Sequence, residues 1–171
     1  MNLEDLPPVE VMWEGRFVRA LRRGKWEYAS RARNIGAVVI LAEYEGKVIL
    51  VEQPRVAPDC RCIELPAGLV GDHDPSATVE ATAIKELEEE TGYTASRVER
   101  LGEFYASPGM LSEAFTVVRA HDVRKVGDGG GDESEDIKVH LVTRADISNF
   151  IEQKRAEGLG MDAKLLLLLD F

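Results

Sequence analysis

Residues 85–93 read KELEEETGY, an acidic stretch that ends in Thr-Gly-Tyr. Its four carboxylates, within five positions, belong to Glu86, Glu88, Glu89 and Glu90. A helix turns by about 100° per residue, so the first, third and fourth of these fall on one face while Glu88 points elsewhere. Gly92 and an aromatic residue follow directly, as is typical of a helix end. The stretch therefore predicts the end of a helix with an acidic face.

The same helix carries an apolar stripe formed by Val79, Ala83 and Leu87. Helical order places Glu90 beside this stripe, Glu86 just beyond it and Glu89 further out. Like charges at this spacing repel, and partly buried carboxylates lose hydration. A hard divalent cation such as Mg²⁺ relieves both costs, because it takes oxygen ligands from carboxylates and substrate phosphates. A solvated acidic helix face is the alternative interpretation.

The surrounding residues resemble the signature of the Nudix hydrolase family. That signature runs Gly, five residues, Glu, seven residues, Arg-Glu-apolar, one residue, Glu-Glu, one residue, Gly-apolar, and its second half matches 85–93 with Lys85 in place of Arg. In the first half, Gly71 has the right spacing but Ala77 replaces Glu. Alternatively, Gly68 occupies the Gly position of the signature and Asp74 the Glu position, with three extra residues before Lys85. The second alignment is favoured because ELPAGL (64–69) resembles the start of this signature in ADP-ribose pyrophosphatases.

The resemblance implies a metal-dependent reaction in which water splits a diphosphate. It assigns Glu86 and Glu90 as direct metal ligands and Glu89 as a further ligand or water-mediated contact. The carbonyl of Ala67 corresponds to a backbone ligand in related ADP-ribose hydrolases. The expected ion is Mg²⁺, which Mn²⁺ can replace.

A general base is expected after the signature, on the loop 127–136 (GDGGGDESED). The segment 132–139 resembles the one that carries the base in enzymes of the ADP-ribose type. Either Glu133 or Glu135 fits, and the sequence does not choose between them. A tethered acid on a mobile glycine-rich loop can close over a substrate. A plain linker is the alternative interpretation.

The resemblance also implies a set of substrate contacts. Residues 107–109 (SPG) resemble a turn typical of ADP-ribose pyrophosphatases, and Glu113 follows where such enzymes contact the terminal ribose. Arg31 and Arg55 match positions that hold phosphates, to which a guanidinium is suited. Phe17 and Trp26 are candidates to stack the adenine. The alternative interpretations are a simple turn for 107–109, solvent-facing side chains for the two arginines, and core packing for the two aromatic residues.

Composition limits the remaining possibilities. The chain has 171 residues, 44% of them hydrophobic, which suits one globular domain. A net charge of −10 argues against a nucleic-acid groove. The two cysteines, Cys60 and Cys62, are spaced unsuitably for a disulfide and lack partners for a zinc site. No secretory signal or span of about 20 apolar residues is present, so we expect a cytoplasmic protein that does not bind membranes.

Hydrophobic patterning predicts an α/β fold. The predicted strands are 13–22, 25–31, 35–43, 47–53, 62–65, 98–105, 114–120 and 137–142. The predicted helices are 75–91, 144–157 and one from residue 161. These elements favour an α/β/α sandwich around a mixed sheet, which is also the Nudix fold that the resemblance implies. Residues 1–33 are expected to form an N-terminal arm, whose β-hairpin has too few apolar side chains to be stable alone. Residues 34–171 are expected to form the hydrolase domain.

From this resemblance we expect the chain to be a member of the ADP-sugar group of the family. In that group the N-terminal strands exchange between two subunits, so a homodimer is expected. The predicted reaction is hydrolysis of ADP-ribose, or a related ADP-sugar, to AMP and a sugar phosphate. One alternative is hydrolysis of another nucleoside diphosphate sugar such as GDP-mannose. Another is a Nudix-fold sensor that binds ADP-ribose without cleaving it.

Overall fold

The computed structural model describes residues 2–33, 35–72, 74–131 and 135–169. Strands in these ranges are β1 (Glu10–Glu14), β2 (Val18–Arg23), β3 (Trp26–Arg31), β4 (Gly36–Leu41), β5 (Glu43–Tyr44), β6 (Lys47–Arg55), β7 (Cys60–Glu64), β8 (Ala67–Val70), β9 (Tyr93–Thr94), β10 (Arg97–Tyr105), β11 (Ala114–His121), β12 (Arg124–Lys125), β13 (Lys138–Thr143) and β14 (Gly160–Met161). The α-helices there are α1 (Val79–Thr91) and α2 (Ile147–Ala156). None of the helices in these ranges has the length and apolar character needed to cross a bilayer.

The N-terminal residues form a three-stranded antiparallel sheet in the order β1-β2-β3. The prediction of one strand over 13–22 was wrong. The chain turns back after β1, where the Gly15 N–H donates to the Val18 carbonyl at 2.9 Å. The sheet attaches to the rest of the chain through Ala29, whose N–H donates to the Met110 carbonyl at 2.9 Å. The predicted turn at Arg23-Gly24 is confirmed as the β2–β3 connection.

Two larger sheets replace the single mixed sheet that was predicted. One has the order β10-β11-β4-β8, and the other has the order β13-β6-β7-β14 with β5 beside β6. The predicted hairpin of 35–43 with 47–53 is therefore wrong beyond the short β5–β6 pair. Strand β4 instead lies parallel to β11 and antiparallel to β8. Its side chains are apolar on both faces, so both faces need cover, and an interior place in a sheet provides it.

The core has two clusters, and β4 contributes to both. Val38 and Ile40 pack with Ala83 and Leu87 of α1, whereas Val39 faces the cluster that includes Ile147 and Ile151 of α2. The two helices therefore cover different clusters, as the predicted α/β/α arrangement requires. The 3-10 helix Ala163–Leu168 adds Leu165 and Leu168 to the α2 cluster. A last helix from residue 161 was predicted, but Gly160–Met161 pairs with β7 as β14.

Helix α1 ends where the sequence predicts and begins later. Gly92 is its C-cap, with φ 74°. Its N-cap is Thr78, whose Oγ1 accepts from the Ala81 N–H at 3.2 Å. The predicted N-cap, Asp74, instead accepts from the N–H of Ser76 at 2.9 Å and from its hydroxyl. Asp and Thr both favour the N-cap position. The Thr78 side chain accepts from the N–H three residues later, as an N-cap residue does, whereas Asp74 accepts from the N–H two residues later.

Candidate active site

A cavity of about 690 Å³ lies where β8, α1 and the loop after β12 meet. It is lined by predicted site residues from all parts of the chain, namely Arg31, Arg55, Ala67, Glu86, Glu89, Glu90, Glu113 and Glu135. The described lining does not include Phe17 or Trp26. Glu133 lies outside the described residues. The structure therefore brings most of the predicted site together in one volume.

Helix α1 presents its carboxylates in the predicted order. Glu90 is only 4% exposed, Glu86 is half-buried, and Glu89 is exposed. The Ala67 N–H donates to Glu90 Oε2 at 3.1 Å, which ties the helix to β8. The next residue, Gly68, lies directly against the Glu86 side chain. Strand β8 thus sets the positions of both carboxylates.

The environment of Glu90 raises its pKa to about 8. Burial is the main cause, and the charges of Glu86 and Glu135 add to it, while the Ala67 N–H opposes the rise. Two neighbouring carboxylates therefore act electrostatically on a third that is buried. Oxygen donors that repel each other in this way are the donor set that a hard divalent cation takes.

The metal fit rests on few protein ligands. Within the described residues, no group of three or more His, Cys, Asp or Glu is arranged to hold a metal ion. Glu89 is turned toward Lys85, whose Nζ donates to it at 2.6 Å, and its side chain is 50% exposed. That leaves Glu86 and Glu90 as the carboxylates best placed on the helix. Mg²⁺ fits such a pair, because it keeps several waters and often takes substrate phosphates as ligands.

The glycine-rich loop is docked on the end of α1. The Gly130 N–H donates to the Glu90 carbonyl at 2.9 Å, and the Gly131 N–H donates to the Glu89 carbonyl at 3.0 Å. The Gly127 N–H reaches the Gly92 carbonyl at 3.0 Å. These bonds satisfy carbonyls that every helix end leaves without an internal partner. This part of the predicted loop 127–136 therefore caps the C-terminal end of α1.

The docked loop carries Glu135 to the cavity. Glu135 lines the cavity and acts electrostatically on Glu90 and on Lys85. Its side chain also lies close to Gly131, where an added Cβ would stand 2.2 Å from a Glu135 carboxylate oxygen. An acid from outside α1 thus lines the same cavity as the helix carboxylates, at one of the two predicted base positions.

Two arginines of the cavity wall are each paired with an acid. The Arg31 Nε donates to Glu113 at 2.6 Å, so the two predicted substrate contacts bond to each other. Arg55 makes a bidentate pair with Glu64 through Nε at 2.7 Å and Nη2 at 2.8 Å. Such pairs fix the plane of each guanidinium before a ligand arrives.

Sequence reasoning assigned no role to Glu64 or Lys164, which also line the cavity. Glu64 is 5% exposed, and its signal was an acid between the apolar Ile63 and Leu65 at a strand end. The Lys164 Nζ lies 2.5 Å from Asp162 Oδ2. No periodic pattern marks this lysine, since it belongs to a short 3-10 helix that reaches the cavity only through tertiary packing.

Of the two predicted stacking residues, Phe17 lies in the β1–β2 connection and Trp26 begins β3. Phe17 is 58% exposed and Trp26 is 48% exposed. Each carries a neighbouring cation over its ring, Arg16 at 4.9 Å and Lys25 at 5.4 Å. Within one chain they do not form part of the cavity wall, so their role in stacking a base stays a prediction.

Comparison with known proteins identifies the family. The model of the NUDIX domain matches residues 31–160. The chain is 35% identical over 136 residues to the ADP-ribose pyrophosphatase of Bacillus subtilis (strain 168), covering 78% of this chain and 72% of that one. It is 38% identical over 146 residues to the GDP-mannose pyrophosphatase of Cronobacter sakazakii (strain ATCC BAA-894), covering 80% and 72% of the two chains.

Among solved structures, an ADP compounds hydrolase superposes with a TM-score of 0.68. The two chains are 24% identical, and the match covers 86% of this chain and 82% of the other. This likeness confirms the fold. Together with the matched domain and the docked acidic helix, it leads to one conclusion: the chain belongs to the NUDIX domain family.

Proposed function

We propose that the protein hydrolyses the diphosphate bond of ADP-ribose, or of a related ADP-sugar, and releases AMP and a sugar phosphate. The observation that carries this proposal is the convergence of Glu86, Glu90 and Glu135 on a cavity that also holds Arg31 and Arg55. Acidic side chains can bind a cation, and the neighbouring arginines can bind phosphate oxygens. Hydrolysis of a diphosphate uses both kinds of contact. The relatives named for ADP-ribose and GDP-mannose pyrophosphatase activity support this substrate class.

The proposed cofactor is Mg²⁺, with Mn²⁺ as a substitute. Glu86 and Glu90 would hold it, with the Ala67 carbonyl as a backbone ligand and Glu89 as an outer contact. When bound, the cation supplies charge neutralisation of the diphosphate and acidifies the attacking water. The buried, electrostatically crowded position of Glu90 supports this assignment.

Arg31 and Arg55 are the proposed diphosphate contacts. Glu113 and Glu64 hold the two guanidinium groups at the wall of the cavity. A phosphate oxygen would compete with Glu113 for Arg31, so we infer that Glu113 turns to a hydroxyl of the terminal sugar when substrate binds. Preformed arginine geometry reduces the ordering cost of binding.

Glu135 is the proposed general base among the described residues. It would accept the proton that the attacking water loses, and water then forms the new P–O bond as the bridging P–O bond breaks. Its place in the cavity lining, beside the docked Gly131, supports this role. Glu133 is the alternative that the sequence left open, and the two corresponding glutamine variants separate them.

We also infer that the protein is a homodimer formed through the N-terminal arm, residues 1–33. The arm exposes several large apolar side chains, including Val11, Met12, Trp13, Phe17 and Trp26. A second subunit would cover this surface and bring Phe17 and Trp26 toward a nucleotide base. The two free thiols suit a reducing compartment, and the cytoplasm stays the predicted location.

GDP-mannose is the second candidate substrate, because a relative named for its hydrolysis is 38% identical to this chain. A stacking aromatic side chain discriminates weakly between adenine and guanine, so hydrogen bonds to the base edge would have to separate them.

A panel of ADP-ribose, ADP-glucose, GDP-mannose and a dinucleoside polyphosphate with Mg²⁺ tests the proposal. Product phosphates are counted after treatment with a phosphatase that cannot attack the intact diphosphates. We expect the largest kcat/KM for an ADP-sugar, with AMP as product. Preference for GDP-mannose would transfer the proposal to the second candidate. Saturable ADP-ribose binding without turnover of any compound would overturn hydrolysis and leave a sensor.

A further inference from the structure

We propose that Asp136 is a positioning residue: Arg61 clasps it and thereby holds the Glu135 segment against the cavity. The role of Glu135 as general base rests on the proposed function. The clasp itself is a feature of the described residues and is tested without substrate. Asp136 does not line the cavity, so it would act on the reaction only through its neighbour.

Arg61 holds Asp136 by two kinds of contact. Its Nη1 donates to Asp136 Oδ2 at 2.5 Å, and its Nη2 donates to the Asp136 backbone carbonyl at 3.0 Å. The backbone bond matters because it fixes the chain itself and not only a side chain. Glu135 is the residue directly before this fixed peptide.

Arg61 is in turn fixed by Glu52, which is 3% exposed. The Arg61 Nε donates to Glu52 Oε1 at 2.7 Å, and Nη2 donates to the Glu52 backbone carbonyl at 3.2 Å. Three further basic side chains surround the same carboxylate, Lys138 at 3.2 Å, His140 at 3.0 Å and Lys154 at 3.7 Å. A buried acid with this many partners is a rigid anchor, since moving it would leave several charges uncompensated.

The chain is fixed at two points around Glu135, and the clasp supplies the second of them. The first is Gly131, whose N–H is bonded to the Glu89 carbonyl of the metal-site helix at 3.0 Å. Behind the clasp, Ile137 is buried, 8% exposed, and its N–H reaches the Gly130 carbonyl at 3.4 Å. Glu135 directly precedes the fixed Asp136, and its side chain lies against Gly131, where an added Cβ would stand 2.2 Å from its Oε2. The two fixed points therefore hold Glu135 at the cavity that it lines.

An ordinary surface ion pair is the competing explanation. The Asp136 side chain is 71% exposed, and exposed pairs contribute little to stability. That expectation makes the two explanations separable. A surface pair without a role changes neither stability nor catalysis when it is removed, whereas a clasp changes catalysis with little effect on stability.

The experiment compares Asp136→Ala and Asp136→Glu with Lys154→Met, which removes another partner of Glu52 and leaves the loop contacts in place. For hydrolysis of ADP-ribose with Mg²⁺, we expect Asp136→Ala to lower kcat about 10- to 100-fold with KM changed less than about threefold, because small misplacement of a reacting group is costly. Asp136→Glu should recover part of kcat. Lys154→Met should lower the Tm and leave kcat close to wild type.

Amide hydrogen exchange without substrate makes the test independent of the activity. We expect the amides of Gly131 and Ile137 to exchange at least about tenfold faster in Asp136→Ala than in wild type, since both flank the segment that the clasp fixes. Unchanged exchange and unchanged kcat in Asp136→Ala would overturn the inference, as would an equal loss of kcat in Lys154→Met. A wild type that hydrolyses none of the compounds would overturn the proposed function, and the exchange result would still decide the clasp.

Discussion

The α-carbon of Gly68 lies against the side chain of Glu86, so closely that an added Cβ would stand 2.1 Å from Glu86 Cγ and 2.2 Å from Cδ. Strand β8 and helix α1 meet at this point, and the missing side chain leaves room for the carboxylate. The glycine therefore has a steric role beside the proposed metal site. Its φ is not in the left-handed region, so close approach and not backbone freedom explains the residue.

Gly68→Ala should displace the Glu86 carboxylate and weaken binding of Mg²⁺ about 10-fold or more. A displaced metal ligand weakens binding much as the loss of a residue that orients the ligand does. Titration of the activity with Mg²⁺ measures this. Gly36→Ala is the matched control on the neighbouring strand β4, where an added Cβ would meet only Val70 Cβ at 3.8 Å. Equal metal dependence in Gly68→Ala and wild type would contradict the proposed role of Glu86.

Gly129→Ala should destabilise the protein more than Gly46→Ala. Both glycines have positive φ, 67° and 74°, so both variants carry backbone strain of about 1 to 2 kcal/mol. Only at Gly129 would the new Cβ also collide with backbone, 2.3 Å from the Thr91 carbonyl carbon; at Gly46 nothing lies within 4 Å. Urea denaturation compares the two free energies of unfolding. Equal losses would show that the loop is not docked on the end of α1.

Glu52 should make stability depend on acidity. Burial has the largest single effect on its pKa and raises it, but hydrogen bonds from Arg61, His140 and Lys138 together outweigh burial and lower the pKa from 4.5 to about 2. A lowered pKa in the folded state stabilises the protein above the unfolded pKa. That contribution is on the order of 2 to 3 kcal/mol and is lost as the pH falls from about 4.5 to about 2.

Glu52→Gln should therefore be less stable than wild type at pH 7, and the difference should shrink as the pH falls below about 4.5. Urea unfolding between pH 7 and pH 3 measures this. Glu10→Gln is the control, because Glu10 forms an exposed ion pair with Arg22 at 2.7 Å and should change stability little. A difference between Glu52→Gln and wild type that stays constant over this range would contradict the prediction.

The N-terminal sheet should be a dimer interface. Trp13 is 61% exposed on β1, and replacing it with arginine would place a charge in an apolar contact between subunits. Sedimentation velocity at micromolar concentrations should show a dimer for wild type and mostly monomer for Trp13→Arg. Val56→Arg, at a residue 95% exposed between β6 and β7 and outside the arm, should remain a dimer. A monomeric wild type would contradict the proposed assembly.

The local features of the fold were predictable because they follow from periodicity. The stripe that includes Ala83 and Leu87, and the position of Glu90 beside it, could be derived from helix geometry and are confirmed. Gly92 was recognisable as a helix end for the same reason. The start of α1 was missed because Asp74 and Thr78 are both competent caps, and short-range hydrogen bonds alone do not rank them.

Non-local features were beyond the sequence. Strands β4 and β6 are separated only by the short β5 and a turn and were predicted to pair, yet β4 lies in another sheet. Two ion pairs at or near the site are equally non-local. Arg31 and Glu113 are 82 positions apart, and Arg61 and Asp136 are 75 apart. No periodic signal connects residues at such separations, so these pairs emerge only from the packed chain.

AMP formation from ADP-ribose with Mg²⁺, measured for wild type, Glu90→Gln and Glu88→Gln, decides whether the buried carboxylate of α1 serves hydrolysis. Glu88 is the matched control, because it lies on the same helix, is exposed and does not line the cavity. We predict that Glu90→Gln loses about 100-fold or more of kcat/KM while Glu88→Gln retains wild-type activity. Equal activity of the two variants would show that the buried carboxylate of α1 does not serve the reaction, and would contradict the account.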